Sequence, residues 1–86
     1  MFHKVKAVTP LSEYRLLVSF SGGEQKQYDV KPLCGEWNAF KPLLYIAGLF
    51  EQVRIDGSGY GVSWNADIDL SCEELYENGV ALNAGD

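Results

Sequence analysis

The strongest folding signal in the chain is the segment YRLLVSF, which is followed by two glycines and a second alternating segment, EQKQYDV. Every second residue from Tyr14 to Phe20 is large and apolar, which is typical of a strand with one buried face. Gly22 and Gly23 can adopt the positive φ that a tight turn requires. Residues 14–30 are therefore predicted to form a β-hairpin.

Three further segments have the character of strands. FHKVKAVTP, residues 2–10, alternates well enough for one strand, and we expect Pro10 to end it. LFEQVRID and YGVSW flank the turn GSG and predict a second hairpin over residues 50–64. The glycines of DGSGYG are followed by a strand and not by a helix, so they indicate a turn and not a phosphate-binding loop.

The middle of the chain, KPLCGEWNAFKPLLYIAGLF, changes to a helical spacing. Trp37, Phe40 and Leu44 fall at positions i, i+3 and i+7, which predicts one apolar helical stripe. A proline such as Pro42 is tolerated at the start of a helix and not inside one. We therefore predict two short helices, 35–40 and 42–47. Trp37 and Phe40 could form a ligand-stacking pair, but packing against the sheet is the favoured interpretation.

The segment LSCEELYENG carries the signals of a short helix with both ends defined. Ser71 and Glu74 have the spacing of a capping box, in which Glu74 would reach back to the Ser71 amide. Leu70 and Leu75 have the spacing of a hydrophobic staple. Gly79 follows Asn78 and is expected to end the helix.

These elements predict an α+β fold in a single domain over residues 1–86, with no linker and no second domain. We expect a largely antiparallel sheet of four to five strands, built from two hairpins. Short helices should cover one face, and a short capped helix should lie near the C-terminus. The predicted core consists of Val5, Leu16, Val18, Phe20, Tyr28, Val30, Trp37, Phe40, Leu44, Phe50, Val53, Ile55, Val62, Trp64, Leu75 and Tyr76.

The net charge of −5 is unevenly distributed along the chain. Residues 1–42 carry six basic and four acidic side chains, whereas residues 43–86 carry Arg54 against eight acidic ones. Such a chain repels a nucleic-acid backbone, so direct nucleic-acid binding is not expected. An acidic half can attract a basic protein partner, or it can simply keep a small domain in solution. The predicted partner surface consists of Asp67, Asp69, Glu73 and Glu77.

The residues that could carry catalysis or a metal are few and poorly spaced. His3 is the single histidine and is interpreted as a solvated strand residue. Cys34 and Cys72 form no zinc-binding spacing and are interpreted as small apolar residues in a reducing compartment. Asp67 and Asp69 could hold a divalent metal for hydrolysis, as an alternative. We expect no catalytic residue, no cofactor and no metal, and hence no enzyme.

No segment of about 18 apolar residues is present, and the first ten residues lack the apolar core of a secretory signal. We therefore expect a cytoplasmic protein that does not contact a membrane.

Three stretches together resemble the family called domain of unknown function 2442 (DUF2442). They are YRLLVSFSGGEQKQYDVKPL, LFEQVRID and GVSW with the following DIDLSCEELYENG, and the likeness extends over about residues 3–79. Its most specific part is Trp64 followed by Ile68-Asp69 and Leu75-Tyr76. Many relatives have Pro or Gly soon after that Trp, where this chain has Asn65-Ala66.

The resemblance implies a small bacterial α+β domain without an established activity or agreed site residues. Some relatives carry the module ahead of a helix-turn-helix, and others are short proteins suspected of pairing with a neighbouring small protein. The acidic C-terminal half leads us to expect a non-enzymatic protein-binding module, and the resemblance suggests the acidic partner in a toxin–antitoxin-like or regulatory complex. The alternatives are a homodimeric scaffold formed through a sheet edge, a regulatory accessory domain, and a metal-dependent hydrolase.

Overall fold

The computed structural model describes residues 3–82, so Phe2 of the first predicted strand lies outside the described residues, as does Asp86. The strands within that range are β1 Val5–Leu11, β2 Arg15–Phe20, β3 Gln25–Asp29, β4 Arg54–Asp56, β5 Gly61–Asn65, β6 Ile68–Ser71 and β7 Val80–Ala81. The α-helices are α1 Lys31–Glu36, α2 Pro42–Tyr45 and α3 Cys72–Asn78. The predicted α+β class is confirmed.

The first sheet has the order β1-β2-β3-β7, and every neighbouring pair is antiparallel. Leu16, Val18 and Phe20 of β2 are fully buried, as their alternation predicts. Gly23 has a φ of 97° in the turn between β2 and β3, a conformation that glycine adopts without steric cost. The hairpin predicted from the sequence is therefore confirmed.

The first strand differs from its prediction, because β1 does not end at Pro10 but continues to Leu11. Pro10 stands opposite Leu16 at the edge of the sheet, where the missing N–H of a proline is tolerated. The turn into β2 is made by Glu13 and Tyr14, whose φ values of 61° and 59° are in the left-handed region.

The second sheet has the order β4-β5-β6 and is also antiparallel. The predicted hairpin of β4 and β5 is confirmed, but β6 adds a strand where the sequence predicts only the approach to the last helix. The strands thus divide between two sheets. The N–H of Val5 donates to the carbonyl of Gly59 at 2.7 Å, and α3 contacts β3 of one sheet and β5 and β6 of the other.

The helix α3 begins where the capping signal predicts. The hydroxyl of Ser71 accepts a hydrogen bond from the backbone N–H of Glu74 at 3.1 Å. The carboxylate of Glu74 does not close the capping box but accepts a hydrogen bond from the Tyr28 hydroxyl at 2.7 Å. Gly79 ends the helix with a φ of −76°, and a Cβ there would lie 2.6 Å from the Leu75 carbonyl oxygen. A glycine is therefore needed here because the Leu75 carbonyl lies too close for a side chain, and not because the residue has a positive φ.

The middle segment forms shorter helices than predicted. The helix α1 begins four residues early, at Lys31, with a proline in its first turn, and it ends at Glu36. Trp37 has extended backbone angles, so its side chain leaves the helical stripe and is 59% exposed. In α2, Leu43 points inward and Leu44 is 43% exposed, because four residues bury a single position. The predictions that Trp37 and Leu44 lie in the core are wrong.

The core is organised around Trp64. Its ring stacks on Phe50 with centroids 6.0 Å apart and meets Phe40 edge-on at 6.2 Å. Its indole N–H donates to the Phe50 carbonyl at 3.0 Å. Buried hydrophobic residues that the predicted core omits are Cys34, Leu43, Leu49, Ile68, Leu70 and Cys72. No helix within residues 3–82 is long and apolar enough to cross a membrane.

The two tryptophans should differ sharply in their contribution to stability. Trp64→Ala should lower the free energy of unfolding by about 3–5 kcal/mol, because it removes a buried aromatic ring. Trp37→Ala should change it by less than about 0.5 kcal/mol, because that ring is largely exposed. Urea unfolding followed by circular dichroism measures both. Similar losses for the two variants would contradict this assignment of the core.

The capping hydroxyl of Ser71 can be tested separately. Ser71→Ala should destabilise the protein by about 1 kcal/mol, because the Glu74 N–H loses its acceptor. Ser71→Asp should retain most of that stability, since aspartate caps helices as well as serine does. Thermal unfolding of both variants distinguishes them, and an equal loss in each would show that the hydroxyl does not act as a cap.

Candidate partner-binding surface

The four acidic residues predicted as a partner surface are exposed on consecutive elements. Asp67 lies in the turn between β5 and β6, Asp69 lies in β6, and Glu73 and Glu77 lie on α3. The turn is built by Asn65, whose side-chain oxygen accepts from the N–H groups of Asp67 and Ile68 at 2.8 and 3.0 Å. Asn65 thereby makes the turn without Pro or Gly after Trp64.

Asp69 differs from the other three because it lines a groove. This Trp37 groove has a volume of about 310 Å³ and lies between the helical segment and the β6–α3 junction. Its lining residues are Leu33, Trp37, Phe40, Asp69, Leu70, Ser71 and Glu74. The groove is not lined by Asp67, Glu73 or Glu77. Only one of the four predicted residues, Asp69, therefore belongs to this concave site.

Trp37 is the exposed aromatic wall of the groove. Within residues 3–82 its ring stacks on no other aromatic ring and lies under no cationic side chain. Leu33 and Phe40 are half-buried beside it and pack against the core. The ligand-stacking alternative thus suits Trp37, whereas Phe40 mainly contacts Trp64.

Glu74 is a groove carboxylate that the sequence analysis assigns to a capping box and not to the partner surface. Its Oε2 atom accepts a hydrogen bond from Tyr28, whose side chain is 5% exposed. Burial raises the pKa of the Tyr28 hydroxyl above its ordinary value, and the hydrogen bond and negative charge of Glu74 raise it further. The hydroxyl therefore stays protonated and holds the Glu74 carboxylate in place at the groove.

The chemistry of the Trp37 groove suits an organic cation. It combines an exposed indole face with the carboxylates of Asp69 and Glu74, and its described lining includes no lysine or arginine. Aromatic faces attract cations, and carboxylates accept strong hydrogen bonds from cationic donors. The sequence holds one signal for this site, because Trp37 directly follows a short helix with a proline in its first turn. The sequence does not show that Trp37 shares a groove with β6.

A metal site receives no support from the described residues. Among residues 3–82, no three His, Cys, Asp or Glu side chains group closely enough to hold a metal ion. Asp67 and Asp69, the pair considered for a hydrolase, therefore lack a third protein ligand in this part of the chain.

The two cysteines are free and buried. The Cys34 thiol contacts the Val30 carbonyl at 3.6 Å, and the Cys72 thiol contacts the His3 carbonyl at 3.2 Å. Burial raises the pKa of both thiols above the ordinary value, which disfavours the reactive thiolate. Their burial agrees with the interpretation as small apolar residues, although the predicted core omits both.

His3 belongs to a polar cluster around Tyr76 and is not a solvated strand residue as predicted. Its ring stacks on Tyr76 with centroids 3.6 Å apart, and Lys26 Nζ lies 3.8 Å from the centroid of the same ring. The Tyr76 hydroxyl donates to Glu24 at 2.9 Å. A backbone hydrogen bond, with this one from Tyr76, holds the pKa of the Glu24 carboxyl below its ordinary value. The cluster ties α3 to β3 and serves packing.

A second groove, of about 330 Å³, lies at the strained turn after β1. Its lining includes Glu13, Tyr14, Phe50 and Glu51 together with several residues of the helical segment. The carboxylate of Glu13 lies 3.9 Å from Arg15 Nη2, and the Glu13 side chain is largely exposed. This groove therefore also contains two carboxylates, but its described lining has no exposed indole like that of Trp37.

Comparison with known proteins gives a single family. Neither a curated protein nor a solved structure matches the chain. The model of the family described as protein of unknown function DUF2442 matches residues 5–81, a range that includes both sheets and all three α-helices. This match extends over most of the 86 residues, and the chain therefore belongs to the DUF2442 family.

Proposed function

We propose that this protein is a non-enzymatic binding module that engages a basic segment of a partner protein through its acidic C-terminal half. The observation that carries the proposal is the Trp37 groove, where an exposed aromatic ring lies beside Asp69 and Glu74. Exposed aromatic residues are enriched at protein interfaces, where they supply contact area at low entropic cost. The proposed acidic surface consists of Asp67, Asp69, Glu73 and Glu77, of which Asp69 lines the groove.

The charge distribution assigns different roles to the surface and the groove. The surface acids are solvated, so each contributes little binding energy, but together they attract a basic partner over a distance of about one Debye length. The groove removes apolar and aromatic area from water at short range, which stabilises the complex once it has formed. A basic partner that also presents a side chain to the groove fits both features.

The proposal includes a cytoplasmic, bacterial setting and a complex of two small proteins, of toxin–antitoxin-like or other regulatory type. Two buried free thiols suit a reducing compartment. Membership of the DUF2442 family agrees with a small domain and assigns no chemistry to it.

Self-association through a sheet edge is the alternative, and the described strands favour it less. The long edge strand β1 contains Pro10 and an exposed Lys6, two features that discourage edge pairing. The other edges belong to β4, β6 and β7, which have three, four and two residues. Such short strands offer few backbone hydrogen bonds to a second copy.

The test compares three tagged baits in lysate of the source cell: the parent, a surface variant and a charge-matched control. The surface variant removes four negative charges through the substitutions Asp67→Asn, Asp69→Asn, Glu73→Gln and Glu77→Gln. The control removes four charges from exposed acids elsewhere through Glu13→Gln, Glu36→Gln, Glu51→Gln and Asp56→Asn. Mass spectrometry identifies the retained proteins at low and moderate salt, and the complex is then rebuilt from the two purified proteins.

We expect the parent and the control to retain the same basic protein in stoichiometric amount, and the surface variant to lose it. Raising the salt should weaken the parent complex, because screening reduces attraction between exposed charges. Equal retention by the parent and the surface variant would contradict the proposed surface. A dimer of the parent in sedimentation, with no other partner, would favour the homodimeric scaffold instead.

A further inference from the structure

We propose that the Trp37 groove is a subsite for one arginine side chain of the partner protein, an inference that rests on the proposed function. The groove has a volume of about 310 Å³, at the lower end of the range of about 300–1,000 Å³ typical of ligand pockets. This volume suits one long side chain and the backbone next to it, and it is small for a larger ligand.

The walls of the groove match the two parts of an arginine side chain. Leu33 and Phe40 are half-buried apolar residues, against which the aliphatic stem can pack. The exposed indole of Trp37 offers a flat face on which a planar guanidinium can stack. Asp69 and Glu74 supply carboxylates that can accept its N–H donors.

The two carboxylates are presented by paired or hydrogen-bonded parts of the fold. Asp69 belongs to β6 and stands opposite Ser63 of the central strand β5. Glu74 is held through its Oε2 atom by the protonated hydroxyl of Tyr28. Because the Glu74 carboxylate is already held, binding has one side chain fewer to order, which lowers its entropic cost.

Arginine fits this site better than lysine does. A guanidinium is planar, more weakly hydrated than an ammonium, and has five donors that can reach two carboxylates while the plane stacks on an aromatic ring. Elsewhere the fold places ammonium groups over tyrosines: Lys26 Nζ over Tyr76 at 3.8 Å and Lys4 Nζ over Tyr60 at 5.3 Å. The ring of Trp37 has no such cation within residues 3–82, so its face is open to one from outside.

The experiment uses three blocked tripeptides, acetyl-Gly-X-Gly-amide, where X is arginine, lysine or the neutral analogue citrulline. Backbone and indole N–H signals of the full chain are followed by NMR during titration. Trp64 is the internal control, because its indole is buried and donates to Phe50. The Trp37 indole and the amides of Asp69 and Glu74 report on the groove.

We expect the arginine peptide to shift the groove signals saturably, with a dissociation constant on the order of millimolar, while the Trp64 indole signal stays in place. Lysine should bind several-fold more weakly, and citrulline should not saturate up to about 20 mM. Saturation by citrulline as strong as by arginine would overturn the proposal, as would the absence of any saturable shift with arginine.

Variants with a matched charge change separate the groove from general electrostatics. Asp69→Asn with Glu74→Gln should weaken arginine binding by about tenfold, because both carboxylate acceptors lose their charge. Asp56→Asn with Glu51→Gln makes the same charge change away from the groove and should leave binding within about twofold. An equal loss in both pairs would show that the peptide senses only the net charge.

Trp37→Ala should abolish saturable binding, followed by the amides of Asp69 and Glu74, while the unfolding midpoint stays near that of the parent. If this variant binds the arginine peptide as well as the parent does, the proposed stacking on Trp37 is wrong. Failure of the arginine peptide to bind, with the protein partner still lost from the four-residue surface variant, would overturn the subsite and leave the proposed function standing.

Discussion

The buried indole of Trp64 is the interaction on which the rest of this small fold depends. Its N–H donates to the Phe50 carbonyl, and its ring lies against Phe50 and Phe40, so one side chain connects the central strand β5 to the helical segment. A buried indole N–H without an acceptor would be costly, which fixes the path of the backbone at residue 50.

Local signals predicted β1 to β5 and the last helix, because their causes lie within a few residues, whereas the short strands β6 and β7 were missed. The alternation of β2 and the Ser71 cap need no distant partner to be recognised. The core assignments of Trp37 and Leu44 failed because a helical stripe was assumed across residues where the helix ends. Whether a residue after the last helical turn points inward depends on its backbone angles, and these follow from packing that the sequence does not display.

The acidic surface could be predicted from the sequence, whereas the groove could not. Charge can be counted along a sequence, so the exposed acids from Asp67 to Glu77 were found. A concave site needs two distant segments, here residues 33–40 and 69–74, and only the fold brings them together. The predicted surface does not include Glu74, which the sequence assigns to a capping box. In the structure the cap uses the backbone N–H of Glu74, and the carboxylate is held by Tyr28.

This separation of backbone and side chain lets the start of α3 serve stability and also the recognition that we propose. The hydroxyl of Ser71 satisfies a backbone donor, so the Glu74 side chain can hold a position at the groove without loss of the helix. Tyr28 links that carboxylate to the first sheet, while Asp69 extends from the second. In the proposed complex a ligand would meet one acceptor on α3 that is held by the first sheet and one on a strand of the second sheet. The spacing of the two acceptors depends on the packing of the core, so such a site would select a partner by shape as well as by charge.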